Sequence, residues 1–255
     1  MEYGEGVQVI FHEDFYQVYA HDPAAEAGRM EAVVEVLRQQ VEFVTAEAAR
    51  PEDIAAVHTR RHIDSIRRQG LYDIAALAAG GAIQAARRGL EEPTFALIRP
   101  PGHHASADSA WGFCFFNNMA VALTHLKKAG LIESAYVLDI DLHFGDGTVN
   151  ILHGQDWVRV HNIAAHERTG YIREVLGEMK DCRADIIGIS AGFDNHAHDW
   201  GGVLETGDYQ AIGECVRDAC LRSGGGCFAV LEGGYNHRVL GHNVLALIKG
   251  LSAQP

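Results

Sequence analysis

The sequence has no cysteines spaced as C-x-x-C, and its five cysteines are scattered along the chain. That excludes a cysteine zinc site and a disulfide framework, and it points to a reducing, cytoplasmic setting. No run of eighteen apolar residues exists, so no transmembrane helix and no membrane partner are expected. The opening Met1-Glu2-Tyr3-Gly4-Glu5 is acidic and lacks the apolar core of a signal peptide. Positive charge is scarce: 21 Lys and Arg stand against 34 Asp and Glu, a formal net charge of −13. Nucleic-acid binding needs a basic face, so nucleic acid is not an expected partner, whereas a cationic substrate is compatible. Linkers, repeats and low-complexity stretches are also missing, and the 255 residues read as a single domain, 1–255. What the chain does have is histidine, 15 in all, of which only those in a constellation are candidates for chemistry.

Apolar strand patterns alternate with helical ones. Strands are expected at Val7–Phe11, Thr94–Ile98, Ala135 onward, Trp157–His161, Ile186–Ser190 and Cys227–Leu231. Between them, helices are expected over Glu26–Val44, Glu52–Val57, Arg60–Gln69, Ile74–Arg88, Asn118–Lys128, Thr148–Leu152, Tyr171–Met179, Thr206–Arg222 and Leu240–Leu251. Strands that are apolar throughout imply an α/β fold with a mainly parallel sheet and helices on both faces. His103-His104, Asp141 with His143, Asp194 and Tyr235 each fall just past the C-terminal end of such a strand. Open α/β sheets bind ligands at that edge.

The stretch A-Y-V-L-D-I-D-L-H-F-G-D-G, Ala135 to Gly147, organises the rest. In an extended chain Asp139, Asp141 and His143 share one side, with neighbours roughly 6.6–7 Å apart. Asp141 and His143 can converge on one ion, leaving Asp139 as a supporting group. Ser190-Ala191-Gly192-Phe193-Asp194 supplies a third ligand, and three ligands leave a position open for water or a carbonyl, as catalytic zinc sites do. Zinc fits an Asp/His set, and Fe(II) or Mn(II) also fits. His103 and His104 are placed for proton transfer, with Asp139 and Asp146 as candidate partners for their second nitrogens. Tyr235, after Gly233-Gly234, can present a phenol to an oxyanion. Gly112-Phe113 and Phe115-Phe116 offer an apolar approach.

These residues lie in R-P-P-G-H-H-A (Arg99–Ala105), G-F-C-F-F-N-N (Gly112–Asn118), D-I-D-L-H-F-G-D-G (Asp139–Gly147), S-A-G-F-D-N-H (Ser190–His196) and L-E-G-G-Y-N (Leu231–Asn236). The chain thereby resembles the zinc-dependent histone deacetylase and acetylpolyamine amidohydrolase family, of arginase/deacetylase fold. The resemblance implies zinc at Asp141, His143 and Asp194, His103 paired with Asp139, and His104 paired with Asp146. It further implies Tyr235 polarising the scissile carbonyl, His104 as the general base and acid, and Phe113 as one wall of an acyl-lysine tunnel with Gly112 beside it. The implied substrate is an acetylated amine, either acyl-lysine or an acetylpolyamine.

Departures from the family carry their own expectations. The segment between His161 and Ile186 is too short for the region that brings the second tunnel phenylalanine, so an open site with one aromatic wall is expected. Asp22–Arg29 replaces a proline-rich loop, and His196–Gly201 replaces a turn usually made with Asp-Pro. Relatives commonly hold a potassium ion behind the zinc loop. Aligning Val158-Arg159-Val160-His161 on the strand that helps bind it puts Arg159 where a serine stands, so a guanidinium is expected to replace that cation. A one-residue slip would instead leave Arg159 facing solvent. Two rival readings are a non-catalytic protein that binds acylated ligands and a two-manganese ureohydrolase of the same fold. The first has no need of both histidines and Tyr235 together, and the second needs further acidic and histidine ligands. Nothing in the sequence speaks to oligomeric state.

Overall fold

A strand that is apolar on both faces needs cover on both, and five of the seven strands are largely of that kind. The computed structural model describes residues 7–252, so the acidic Met1–Glu5 segment lies outside the described residues. The strands are β1 (Gln8–Phe11), β2 (Glu42–Thr45), β3 (Thr94–Ala96), β4 (Ala135–Asp139), β5 (Val158–Asn162), β6 (Ile186–Ala191) and β7 (Gly226–Leu231). They form one sheet in the order β2-β1-β3-β7-β6-β4-β5, with every neighbouring pair parallel. The less buried β2 and β5 are the edges.

The helices are α1 (Arg29–Leu37), α2 (Pro51–Ala55), α3 (Arg60–Arg68), α4 (Tyr72–Arg88), α5 (Asn118–Lys128), α6 (Asp146–Leu152), α7 (Arg168–Lys180), α8 (Thr206–Ser223) and α9 (His237–Ser252). They pack in two groups: α2 to α6 around the α4–α5 pair, and α1, α7 and α8 around α9 or its neighbour. Local chemistry sets their ends. Asn117 caps α5 by accepting a hydrogen bond from Ala120 N at 2.8 Å, and Lys127 and Lys128 sit in its last turn, where the helix dipole favours cations. At the start of α8, Glu205 and Asp208 form a reciprocal capping box. Among the described residues no helix is long and apolar enough to cross a membrane.

The expected long helix over Glu26–Val44 is corrected. It ends at Leu37, and Glu42–Thr45 forms β2, paired in register with β1. Met30, Val33 and Leu37 share the buried face of α1, while Phe43, Val44 and Thr45 are aromatic or β-branched and extend the sheet beside β1. After β3 the chain crosses to β4 and returns later through β6 and β7, which fill the space between. The resulting change of direction in the strand order is where such sheets open a crevice.

Candidate active site

The sheet register levels the strand ends. Ile10, Ala96, Val230, Ser190, Asp139 and Asn162 are successive partners across β1, β3, β7, β6, β4 and β5. Four adjacent strands, β3, β7, β6 and β4, therefore deliver their following loops to one place. These loops carry His103 and His104, Tyr235, Asp194, and Asp141 with His143.

Asp141, His143 and Asp194 bring ligand atoms within 4.8 Å of one another. The route differs from the extended-chain expectation: β4 stops at Asp139, and a bend carries Asp141 and His143. Asp139 pins that bend by accepting from Asp141 N at 3.1 Å, and Asp141 accepts from His143 N at 2.9 Å. Asp194 is fully buried, and its Oδ2 has no hydrogen-bond partner although His143 Nδ1 lies 3.1 Å away. A methyl group on Gly233 would come within 2.6 Å of Asp141 Oδ2 and 2.7 Å of Asp194 Oδ2. The chain is thus bare of side chain where the two carboxylates converge. The hydrogen bond to Asp141 and the nearby Asp194 carboxylate push His143 up to about 10, while burial and the charge of Asp141 raise Asp194. Two buried carboxylates beside an imidazole require a positive charge among them. The donor set fits a divalent cation, and His143, the most exposed of the three, faces the opening.

The tandem histidines differ in environment. His103 Nδ1 lies 3.1 Å from Asp139 Oδ2, and its Nε2 lies 3.7 Å from Asp141 Oδ1. Burial alone would depress His103, but Asp141 and Asp139 together hold it well above the usual histidine range, as an imidazolium. His104 Nδ1 donates to Asp146 Oδ1 at 2.7 Å, leaving Nε2 with its lone pair. Burial, and then the charge of His103, push His104 down to about 4. The neighbouring carboxylates favour the charged form of His103, whereas burial favours the neutral form of His104.

Tyr235 packs edge-on against Phe113, with ring centroids 6.0 Å apart. Its backbone N–H and that of Asn236 both donate to Asp199 Oδ2, at 2.8 and 2.7 Å. Burial raises the phenol far above its ordinary value, with Asp141 adding to it, so it stays protonated as a donor. Phe113 itself adopts a left-handed backbone with φ 67°, and Gly112 before it has φ 59°. Gly112 lies against the His104 ring, where any Cβ would collide with Cδ2.

Two exposed indoles stand at the site besides Phe113. Trp200, 52% exposed, stacks on Tyr235 at 4.1 Å and stands edge-on to His143 at 6.0 Å. Trp111 stacks on His104. Sequence reasoning gave neither indole a role, although Trp200 stands in a departure it singled out and Trp111 directly precedes the Gly112–Asn118 motif. Glu232 was also missed. It is fully buried, and its Oε2 accepts from Gly102 N at 2.6 Å and His103 N at 3.1 Å, anchoring the loop that bears both histidines.

Arg159 does not stand in for a potassium ion. Its register partner is Tyr136, and the residue opposite Asp139 is Asn162. Its side chain is 68% exposed and pairs with Glu178 at 3.1 Å. Three residues of strand, about 10 Å, separate Arg159 from the level of Asp139, and an odd offset also reverses its face. The side chain beside Asp139 is His103, with Nδ1 3.1 Å from Oδ2.

Seven parallel strands in this order, with polar loops gathered at their C-terminal edge, define the arginase/deacetylase fold. The HD domain of HDA15 superimposes with a TM-score of 0.82 over 96% of this chain and 89% of that one, at 24% identity. The histone deacetylase domain family matches residues 24–180, and the chain belongs to the histone deacetylase and acetylpolyamine amidohydrolase family. A "Probable deacetylase" of Methanothermobacter thermautotrophicus is 29% identical, covering 96% of this chain and 91% of the relative. A "Histone deacetylase-like amidohydrolase" of Pseudomonas aeruginosa is 29% identical over 88% of this chain and 74% of its own. The archaeal alignment spans 305 positions, more than the 255 residues here, so that relative holds inserted segments which this chain lacks.

Proposed function

We propose that residues 1–255 form one catalytic domain, a zinc-dependent amidohydrolase that removes the acyl group from an acylated amine such as acetyl-lysine or an acetylpolyamine. The observation that carries this reading is the His104–Asp146 pair beside the cluster of His143 with the buried Asp141 and Asp194. Asp141, His143 and Asp194 would hold the metal, which when bound supplies a Lewis acid toward the acyl carbonyl and toward water.

The chain's own groups account for the remaining steps. His104 Nε2 accepts a proton from water as its oxygen bonds to the acyl carbon, and Asp146 holds the Nδ1–H that fixes this tautomer. The same proton then passes from Nε2 to the amine nitrogen as the C–N bond breaks, giving a carboxylic acid and a free amine. His103, held charged by Asp139, stabilises negative charge that develops nearby without exchanging its own proton. The Tyr235 hydroxyl donates to the acyl oxygen, and Asp199 fixes the backbone that carries it. Phe113 and the two indoles border the approach.

The test is turnover of acetyl-lysine peptides and acetylpolyamines by protein reconstituted with zinc, iron(II) or manganese(II). Release of acetate from at least one panel, lost with chelator and restored by metal, is the expected result. No turnover from either panel with any metal would refute the reading.

A further inference from the structure

Trp111 is 56% exposed, a large apolar surface to leave in water, yet it is held by three contacts to working groups. Its ring stacks on His104 with centroids 3.8 Å apart and planes 29° from parallel. Its indole N–H points between the Asp146 oxygens, 3.1 Å from Oδ1 and 3.0 Å from Oδ2. Asp146 Oδ1 is the atom that also receives the His104 Nδ1–H.

The backbone is bent to bring this about. Gly112 and Phe113 both take left-handed conformations, and the turn closes with Cys114 N donating to Trp111 O at 3.1 Å. A phenylalanine in that region is strained, and the conformation persists only where surrounding contacts impose it. Opposite the turn, His104 N donates to Cys114 Sγ at 3.5 Å. Imidazole, carboxylate and indole thus form a closed set in which each fixes the other two. Asp146 is about one-third exposed, and without the indole its carboxylate has a solvated flank and freedom to rotate. His104 would then lose both the face that its ring rests on and the acceptor that defines its tautomer.

We propose that Trp111 is a positioning residue, acting on the reaction through His104 and Asp146. The kinetic part rests on the amidohydrolase reading above; the geometric part does not. The test compares Trp111→Phe, which keeps a ring but loses the N–H, with Trp111→Ala, which loses both. Zinc-loaded protein is assayed on an acetyl-lysine peptide or acetylpolyamine, and the His104 Nδ1–H proton is followed by NMR. Turnover should fall about tenfold in Trp111→Phe and about a hundredfold in Trp111→Ala, with KM within about twofold, the range found when a group that orients a ligand or base is lost. The Nδ1–H signal should weaken in the first variant and vanish into exchange in the second. Turnover within about twofold of wild type in both, with the signal undisturbed, would overturn the proposal. So would a raised KM at unchanged kcat, which would make Trp111 a substrate contact. If zinc-loaded wild type hydrolyses no acylated amine but the signal is lost in Trp111→Ala, the amidohydrolase reading falls and the positioning role stands.

Discussion

Acid should loosen the active-site loop through one histidine outside the site. His58 is buried, its Nδ1 donates to Ser106 O at 3.0 Å, and its Nε2 accepts from Asn117 N at 2.9 Å. Both ring nitrogens are committed in the neutral form, so a second proton has to break the bond to Asn117. Burial, with the neighbouring His62 second, pushes His58 down from 6.5 to about 4. The folded pKa is depressed, so the unfolded chain binds the proton more readily between those two values. The stabilisation is complete above pH 6.5 and is lost as pH falls toward 4. At pH 4.5 the loss is on the order of 2–3 kcal/mol, a sizeable share of a typical domain's stability. Urea denaturation at pH 7.5 and 4.5, in wild type and His58→Gln, measures it. Glutamine keeps a donor and an acceptor but does not titrate, and the difference between proteins at each pH cancels the pH dependence of metal affinity. Wild type should lose roughly 2–3 kcal/mol more than the variant. Equal losses in the two proteins would refute the argument.

His104→Ala and Tyr235→Phe should each lower turnover by roughly 10²-fold or more while bound zinc, measured by elemental analysis, stays stoichiometric. Asp194→Ala, which removes a proposed ligand, should instead lose the metal itself in the same measurement. Gly233→Ala should weaken zinc binding by about 10–100-fold in a competition titration, because its methyl crowds both carboxylates without removing either. Arg159→Ala should leave turnover unchanged and shift stability by less than about 0.5 kcal/mol, since its side chain is an exposed surface partner of Glu178.

Motifs with a fixed chemistry were legible in the sequence. Asp141, His143 and Asp194 follow strands whose apolar runs are unmistakable, and the parallel order then brings them together. The placement of Asp139 at His103 and Asp146 at His104 also followed from the motifs. β2 was not legible, because an exposed four-residue edge strand directly after a helix extends the same apolar pattern. Arg159 failed on register, which depends on pairing across the sheet and not on the local run Val158–His161. Glu232 and Trp200 act through partners more than thirty residues away, and Trp111, though stacked on nearby His104, donates to the distant Asp146, so no local spacing announces them. Trp200 stood in a turn already marked as unlike the family's, which was the one available hint.

The position of β7 has a consequence for how activity can appear. Among the described residues this strand comes last in sequence, yet it lies in the middle of the sheet, between β3 and β6. Until Gly226–Leu231 has left the ribosome, the nascent protein can assemble β2-β1-β3 and β6-β4-β5 only as two separate half-sheets, each with a raw edge. The histidines belong to one half, the proposed metal ligands to the other, and Tyr235 arrives with the strand that joins them. Before β7 inserts, His103 and His104 are not tied in register to Asp141, His143 and Asp194, so the closing strand is what assembles the candidate site. The two open edges waiting for β7 are also where a stalled or truncated product would pair with a copy of itself.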